Sequence, residues 1–327
     1  MSQVKELKKQ LAAAAVCVVM AGLALVSATY AWYVANNRVE TITSTISATT
    51  NGFILQIDEL ANGAQHGGEQ KSLEATTKGA TLSPSSSDDL SHWFICSRWS
   101  ESGVADSYSS PTFSKDSNAG SGCYKGADGK DYHAFIKSDY IVYTITETGT
   151  ANVYLDASDG DPIVITSKDN SPIAEAVKGS MRVAITTQQV GPDGKSGVGA
   201  ESLRMVYAFE NETGKGNDSQ AINGWTSIQD VDGVPNLRAV TYPYIYAGHY
   251  QDQLVASRNW VATKDGDNYA VPSGSEPIAE GVGYNGIAVH VYIWLEGTDS
   301  DCVNGKSIED DPSTYNVTVK LAGVAAN

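Results

Sequence analysis

Five histidines, His66, His92, His133, His249 and His290, are the first place to look for metal or acid–base chemistry. A metal site draws its imidazole ligands from short, recurrent spacings, and none of these five forms an HxxxH or similar pair. His290 stands between Val289 and Val291 in a strand-like run, which reads as a packed or edge side chain rather than a catalytic one. Gly122-Cys123 raises a thiol nucleophile, but no local cysteine-protease signature surrounds it. Aspartates gather as Asp156/Asp159/Asp161, Asp265/Asp267 and Asp299/Asp301. Calcium asks for several oxygen ligands in a defined loop. None of these sets matches the twelve-residue EF-hand loop, and Asp beside Gly is simply a good turn former. Asn211-Glu212-Thr213 and Asn316-Val317-Thr318 fit the glycosylation sequon, which matters only in a glycosylating host. No acid, base and nucleophile converge, so the reading is a protein that is not an enzyme and uses no metal or cofactor.

The elements that would position these residues are strands. Glu40–Ala48, Phe53–Ile57, Tyr140–Thr148, Ala151–Ala157, Ser180–Thr187, Leu203–Phe209, Ile287–Leu295 and Tyr315–Leu321 alternate or are rich in β-branched residues. Asn51-Gly52 carries a hairpin-type turn signal between the first two. Beyond the N-terminus there is no convincing helix, apart from a turn at Pro172–Lys178. Short strands with Gly and Asp turns predict an all-β fold, a jelly-roll-like β-sandwich with long loop insertions. Ser83–Lys130 differs: 14 of its 48 residues are Ser and it shows little period. It also holds Trp93, Phe94 and Trp99, which predicts an insertion folded onto the sandwich rather than a linker. Gly191–Ala200 and Asn211–Gly233 read as further long loops.

The chain has 327 residues, 41% of them apolar and only 18% charged. That is enough material for a core, with Ser, Thr, Asn and 31 Gly in place of the usual charge. Lys+Arg 22 against Asp+Glu 38 gives a net charge of −16. Nucleic acid is excluded as a partner, because phosphate binding needs a basic face, and an anionic membrane surface is excluded for the same reason. Four Cys exclude a disulfide-dense scaffold.

Lys5, Lys8 and Lys9 precede Leu11–Val34, 24 residues without a charge. A bilayer takes about 20 such residues as a helix, and lysines before the run keep its start inside. Small residues close the run at Val26-Ser27-Ala28 and Thr29-Tyr30-Ala31, as a cleaved signal helix requires. Val16 before Cys17 is wrong for a lipid-anchor cysteine. The expected organisation is therefore a signal peptide at 1–31 and one β-sandwich domain at 32–327. Removing three Lys and one Glu from 22 and 38 leaves 19 against 37, or −18, for the exported part. The membrane is then a partner only through the signal segment before cleavage.

The junction Ala28-Thr29-Tyr30-Ala31-Trp32-Tyr33, followed by Asn36-Asn37-Arg38-Val39 and a β-branched strand, resembles the TasA/camelysin family of exported proteins from Gram-positive bacteria. The likeness is strongest over residues 5–57. Ser180–Ile185 and Ile293–Cys302 are similar to surface proteins with the same kind of signal. The resemblance implies cleavage between Ala31 and Trp32 by a dedicated signal peptidase, secretion, and a role as a biofilm-matrix or cell-surface fibre subunit. It also implies that releasing the new N-terminus lets it donate a strand to the next subunit. The residues suit that role: Trp32 and Tyr33 lead into Val39, Ile42 and Ile46, a segment that can pair with an open sheet edge of its own or a neighbouring subunit.

The alternative is a monomeric surface adhesin or carbohydrate-binding module, with Trp93, Trp99, Tyr108 and Tyr124 as a stacking platform. Cys96 and Cys123 share one insertion in an oxidising compartment and are candidates for a disulfide. Such a bond would remove roughly 3–4 kcal/mol of unfolded-state entropy. Cys302 would then stay single or pair between subunits, and buried, reduced cysteines are the other outcome.

Overall fold

The computed structural model describes residues 39–40, 42–50, 55–66, 72–76, 81–87, 89–99, 105–114, 122–126, 129–145, 147–167, 177–208, 242–246, 260–266, 268–297, 299, 302 and 315–326. Nearly all of this is strand. The first seven are β1 (Val39–Glu40), β2 (Ile42–Thr50), β3 (Leu55–Glu59), β4 (Ser72–Thr76), β5 (Thr81–Leu82), β6 (Pro84–Ser87) and β7 (Trp93–Trp99). Then come β8 (Ala105–Ser109), β9 (Cys123–Lys125), β10 (Asp131–His133), β11 (Ile136–Thr144), β12 (Ala151–Asp156), β13 (Ile163–Ser167) and β14 (Met181–Val190). The last are β15 (Gly197–Ala208), β16 (Tyr244–Tyr246), β17 (Val261–Asp265), β18 (Asn268–Ala270), β19 (Ala279–Val282), β20 (Ile287–Glu296) and β21 (Tyr315–Ala325). A 3-10 turn at Leu60–Asn62 and a helical turn at 177–180 are the helical pieces among the described residues.

Two large sheets form the expected all-β sandwich. In the first, β16, β15, β14 and β20 lie in order. The far edge of β20 is then shared: β11 takes Ile287–Ile293, with β3 outside it, and β6 takes Leu295 and Glu296, followed by β7 and β8. The second runs β18-β17-β12-β21-β2-β4, with β13 and β19 on the remaining edges of β21 and β12. A small sheet, β1-β5-β10-β9, completes the set.

Alternation decides which side chains fill the space between the sheets. On β20, Val289, Val291, Ile293 and Leu295 point inward. On β14 these are Met181, Val183 and Ile185; on β21, Tyr315, Val317, Val319 and Leu321. They meet Val153 and Leu155 of β12 in one continuous core. Each fully buried Val, Leu or Ile stabilises the fold by about 1.5–3 kcal/mol. The opposite face of the first sheet is covered too. Trp294, Tyr292 and Ala184 lie there under Leu90, Trp93, Tyr124, Tyr132 and Phe135. Trp93 stacks on Phe135 at 4.3 Å and meets Trp294 edge-on at 5.6 Å.

Three expectations about connections change. Asn51-Gly52 does not close a hairpin, because β2 and β3 belong to different sheets. Ser83–Lys130 contributes strands β6 to β9 rather than a loop laid on the sandwich. Its serines go into the interior because their hydroxyls find backbone partners: Ser85 donates to the Ala134 carbonyl, and Ser87 to the His92 carbonyl at 2.6 Å. Gly191–Ala200 is a tight hairpin turn, closed by the Gly191 N–H on the Ser196 carbonyl at 2.7 Å, with β15 starting at Gly197. Asn211–Gly233 lies outside the described residues.

Candidate functional site

Of the expected assembly segment, Ala31, Trp32 and Tyr33 lie outside the described residues, as does the whole apolar run Leu11–Val34. Val39 lies in β1, opposite Leu82. Ile42 and Ile46 lie in β2, whose nine residues pair in parallel with β21 from Ile42↔Tyr315 to Thr50↔Gly323. On its other side β2 pairs antiparallel with β4, from Thr43↔Thr76 to Ser47↔Ser72. The first long strand thus sits in a slot between the last strand and β4, within its own chain. That slot is a backbone one. On β21 the inward side chains are already buried in the core, so β2 supplies the edge with N–H and C=O partners that it otherwise lacks. No covalent link or buried ion pair among the described residues ties β2 in place. A terminal strand of this kind can be exchanged with that of a second copy at no change in its ladder.

The expected Cys96–Cys123 bridge is absent. Cys123 is a free, buried thiol on β9, in the small sheet, while Cys96 pairs across from Tyr108 in the first large sheet. The insertion they share therefore splits between two sheets instead of folding as one unit. Cys302 is buried beyond the end of β20. The expected stacking platform is also altered. Trp93 and Tyr124, both part of the insertion, are buried in the cluster over the outer face of the first sheet, with 2% and 8% of their surface exposed. Trp99 and Tyr108 fall in strands whose side chains are not among those described.

The densest polar chemistry was not legible in the sequence. His290 is a packed strand residue, as its flanking valines imply, and only 2% exposed. Registry sets it opposite Asp139 of β11 and Thr186 of β14. Its Nδ1 lies 2.5 Å from Asp139 Oδ1 and its Nε2 3.2 Å from Gln188 Oε1. The Gln188 amide is oriented by its own donation to the Gly199 carbonyl at 2.6 Å, which leaves the oxygen toward the ring. Both ring nitrogens therefore face side-chain oxygens. Beside it, Glu201 accepts from Lys137 Nζ at 2.6 Å, Thr186 Oγ1 at 2.7 Å and Tyr292 Oη at 2.8 Å.

Burial works against the charge of Asp139. The His290 hydrogen bond and the Lys137 ammonium outweigh it and hold the carboxyl below its ordinary range. Burial likewise opposes ionisation of Glu201, and the bonds from Lys137 and Thr186 again prevail. Burial and the Glu201 charge push the Tyr292 phenol up. The cluster joins β11, β14, β15 and β20. Its signal in the sequence was the placement of Lys137/Asp139 and His290/Tyr292 two apart, one face of each strand.

Arg182, fully buried, donates to the Gly179 and Met181 carbonyls at 2.9 and 3.0 Å and to Asp299 Oδ2. This ties the start of β14 to the loop after β20. Among the described residues, no group of three or more His, Cys, Asp and Glu is arranged to hold a metal, and no helix is long and apolar enough to cross a membrane. No family model, curated protein or solved structure matches the chain.

Proposed function

We propose that this chain is a non-catalytic structural protein of the bacterial cell surface or extracellular matrix. It is exported through the signal segment at 1–31, cut between Ala31 and Trp32 by a signal peptidase, and assembles into fibres by exchanging its N-terminal strand. In this reading it belongs with the TasA/camelysin-like matrix proteins of Gram-positive bacteria. The observation that carries the proposal is the nine-residue parallel pairing of β2 with β21. The first long strand after the expected cleavage point fills an edge of the same chain's last strand. The same edge on a second copy offers an identical ladder. The signal segment gives the mechanism its timing: while it holds the N-terminus at the membrane the strand is not free to exchange, and cleavage releases it.

The composition supports the same reading. A chain at −18 after cleavage suits self-association in an extracellular matrix better than binding to nucleic acid or an anionic membrane. The test is electron microscopy and light scattering of the chain beginning at Trp32. Fibres are expected, forming more slowly once Trp32–Arg38 is deleted. A protein that stays monomeric at high concentration, or fibres that form at unchanged rate without Trp32–Arg38, would end the proposal.

A further inference from the structure

At the end of the first sheet, past the His290 cluster, three turns surround a cleft of about 840 Å³. They are the turn after β3, the hairpin turn between β14 and β15, and the Gly283–Gly286 turn before β20. The volume is that of a small-ligand site. Its polar lining is mostly neutral: the amides of Asn62, Gln65, Gln189 and Asn285, of which Asn62 already donates to Glu59 at 3.4 Å and Gln65 to the Asn62 carbonyl at 2.7 Å. The charges present, Asp193 and Lys195, cancel. Asp193 is moreover turned back into its own loop, accepting from the Lys195 and Ser196 N–H groups at 3.0 and 3.1 Å.

His66 is the flat surface in the wall. Its ring stacks on Tyr284 with centroids 3.5 Å apart and planes 2° from parallel, and meets Tyr143 edge-on at 5.0 Å. Tyr143 is itself fixed by donating to Asp58 at 2.5 Å. His66 holds φ 22°, outside the range that residues with a side chain favour, and its buried Nδ1 has no hydrogen-bond partner. Strain and an orphaned polar atom in one residue are features that concentrate at binding sites. Burial lowers the His66 pKa, with Asp58 partly opposing, which favours the neutral ring. Glycines let the segments of the wall pack closely against one another. A side chain on Gly63 would meet the Gly194 carbonyl at 3.0 Å, and one on Gly286 would strike Ile141 at 2.8 Å.

We propose that this cleft binds a neutral saccharide, one or two sugar units of a glycan, packed on the His66 ring with its hydroxyls bonded to Asn62, Gln65 and Asn285. Hydroxyls both give and accept hydrogen bonds, as amides do, and a sugar ring offers an apolar face to an aromatic one. An anionic ligand finds no net positive charge here, on a protein already at −16. A peptide docking by strand addition needs a run of open edge; β3 contributes no residue to the lining, and β15, paired with β16 only over Val206–Ala208, contributes Val198 alone. The site does not depend on strand exchange, because neither β2 nor β21 lines it.

The experiment is titration calorimetry on the full chain with chitotetraose, cellotetraose and maltotetraose, and with a heparin hexasaccharide as the anionic comparison. At least one neutral tetrasaccharide is expected to bind saturably. Two variants locate it. His66→Ala removes the ring, and Val198→Trp fills the cleft from a residue that is 43% exposed. Each is expected to weaken binding at least about tenfold. Val198→Trp keeps the test sound if His66→Ala folds poorly, since its melting temperature is expected to match the wild type. No binding of any neutral tetrasaccharide at millimolar concentration would overturn the proposal. So would binding of heparin alone, or neutral binding that Val198→Trp leaves unchanged.

Discussion

Glu201 is the residue whose removal tests the reading of the outer-face cluster most sharply. Its carboxylate takes hydrogen bonds from three donors, and two of them, Thr186 and Tyr292, are only 2% and 6% exposed. In Glu201→Ala those two mostly buried hydroxyls lose their acceptor. A buried donor left without a partner costs about 1–3 kcal/mol. Lys137 loses its closer carboxylate but keeps Asp139 at 3.4 Å and some solvent, so its share is smaller. The expected loss is about 3–5 kcal/mol, or roughly 6–20 °C in melting temperature. Glu201→Gln keeps the shape and one acceptor oxygen, so it is expected to lose about half as much.

The pH dependence has a definite sign. The folded-state pKa values of Glu201 and Asp139 lie below their ordinary values. Their contribution is therefore full above the ordinary carboxylate range and is lost as pH falls through the lowered values. Thermal unfolding followed by circular dichroism should show the largest gap between wild type and Glu201→Ala near pH 7, and a smaller one near pH 3. A gap under about 1 kcal/mol at pH 7, or one that stays constant down to pH 3, would refute the reasoning.

The other predictions concern the ends and the buried charge. Asp299→Ala removes the ion-pair partner of fully buried Arg182 and should cost about 3–5 kcal/mol by denaturant unfolding, whereas Arg182→Met with Asp299→Leu should come within about 1 kcal/mol of wild type or exceed it. N-terminal sequencing of the secreted protein should begin at Trp32; recovery only of membrane-bound, full-length chain would replace the cleaved signal by an anchor. Because the exported chain carries −18, assembly should quicken as salt rises from low ionic strength to about 0.15 M, where screening acts over about 8 Å, and turbidity kinetics without salt dependence would argue against copies meeting through like-charged surfaces.

The long strands were legible because both of their signals are local. Ile287–Leu295 and Tyr315–Leu321 alternate or run apolar over enough residues to announce themselves, and they form β20 and β21 almost as read. The insertion was not, because strands such as Pro84–Ser87 bury serines whose acceptability depends on carbonyls elsewhere, Ala134 among them. Pairing was hidden for a different reason. The parallel β2–β21 ladder joins residues some 273 positions apart, from Ile42 to Tyr315, and no turn chemistry marks it. The Glu201 cluster likewise depends on registers among four strands, so Lys137 and Glu201 meet across 64 residues with nothing local to announce them. The cleft is built from turns at 62–66, 191–195 and 285–286 that the sequence shows only as polar and Gly-rich. Of the three, Gly191–Ala200 alone reads as a loop from the sequence, and the packing of His66 on Tyr284 was visible only in the fold.

Strand exchange itself is tested most directly by trapping the ladder between chains. Thr45 and Thr318 face each other across β2 and β21. One preparation of the chain beginning at Trp32 carries Thr45→Cys, another Thr318→Cys, and the two are mixed, allowed to assemble and oxidised mildly. Exchange predicts a disulfide between the two different chains, dependent on both new cysteines and enriched in the fibre fraction. A mixture that yields no such heterodimer, while a chain carrying both substitutions closes the same bond within itself, would show that β2 stays in its own subunit and would contradict the proposed assembly.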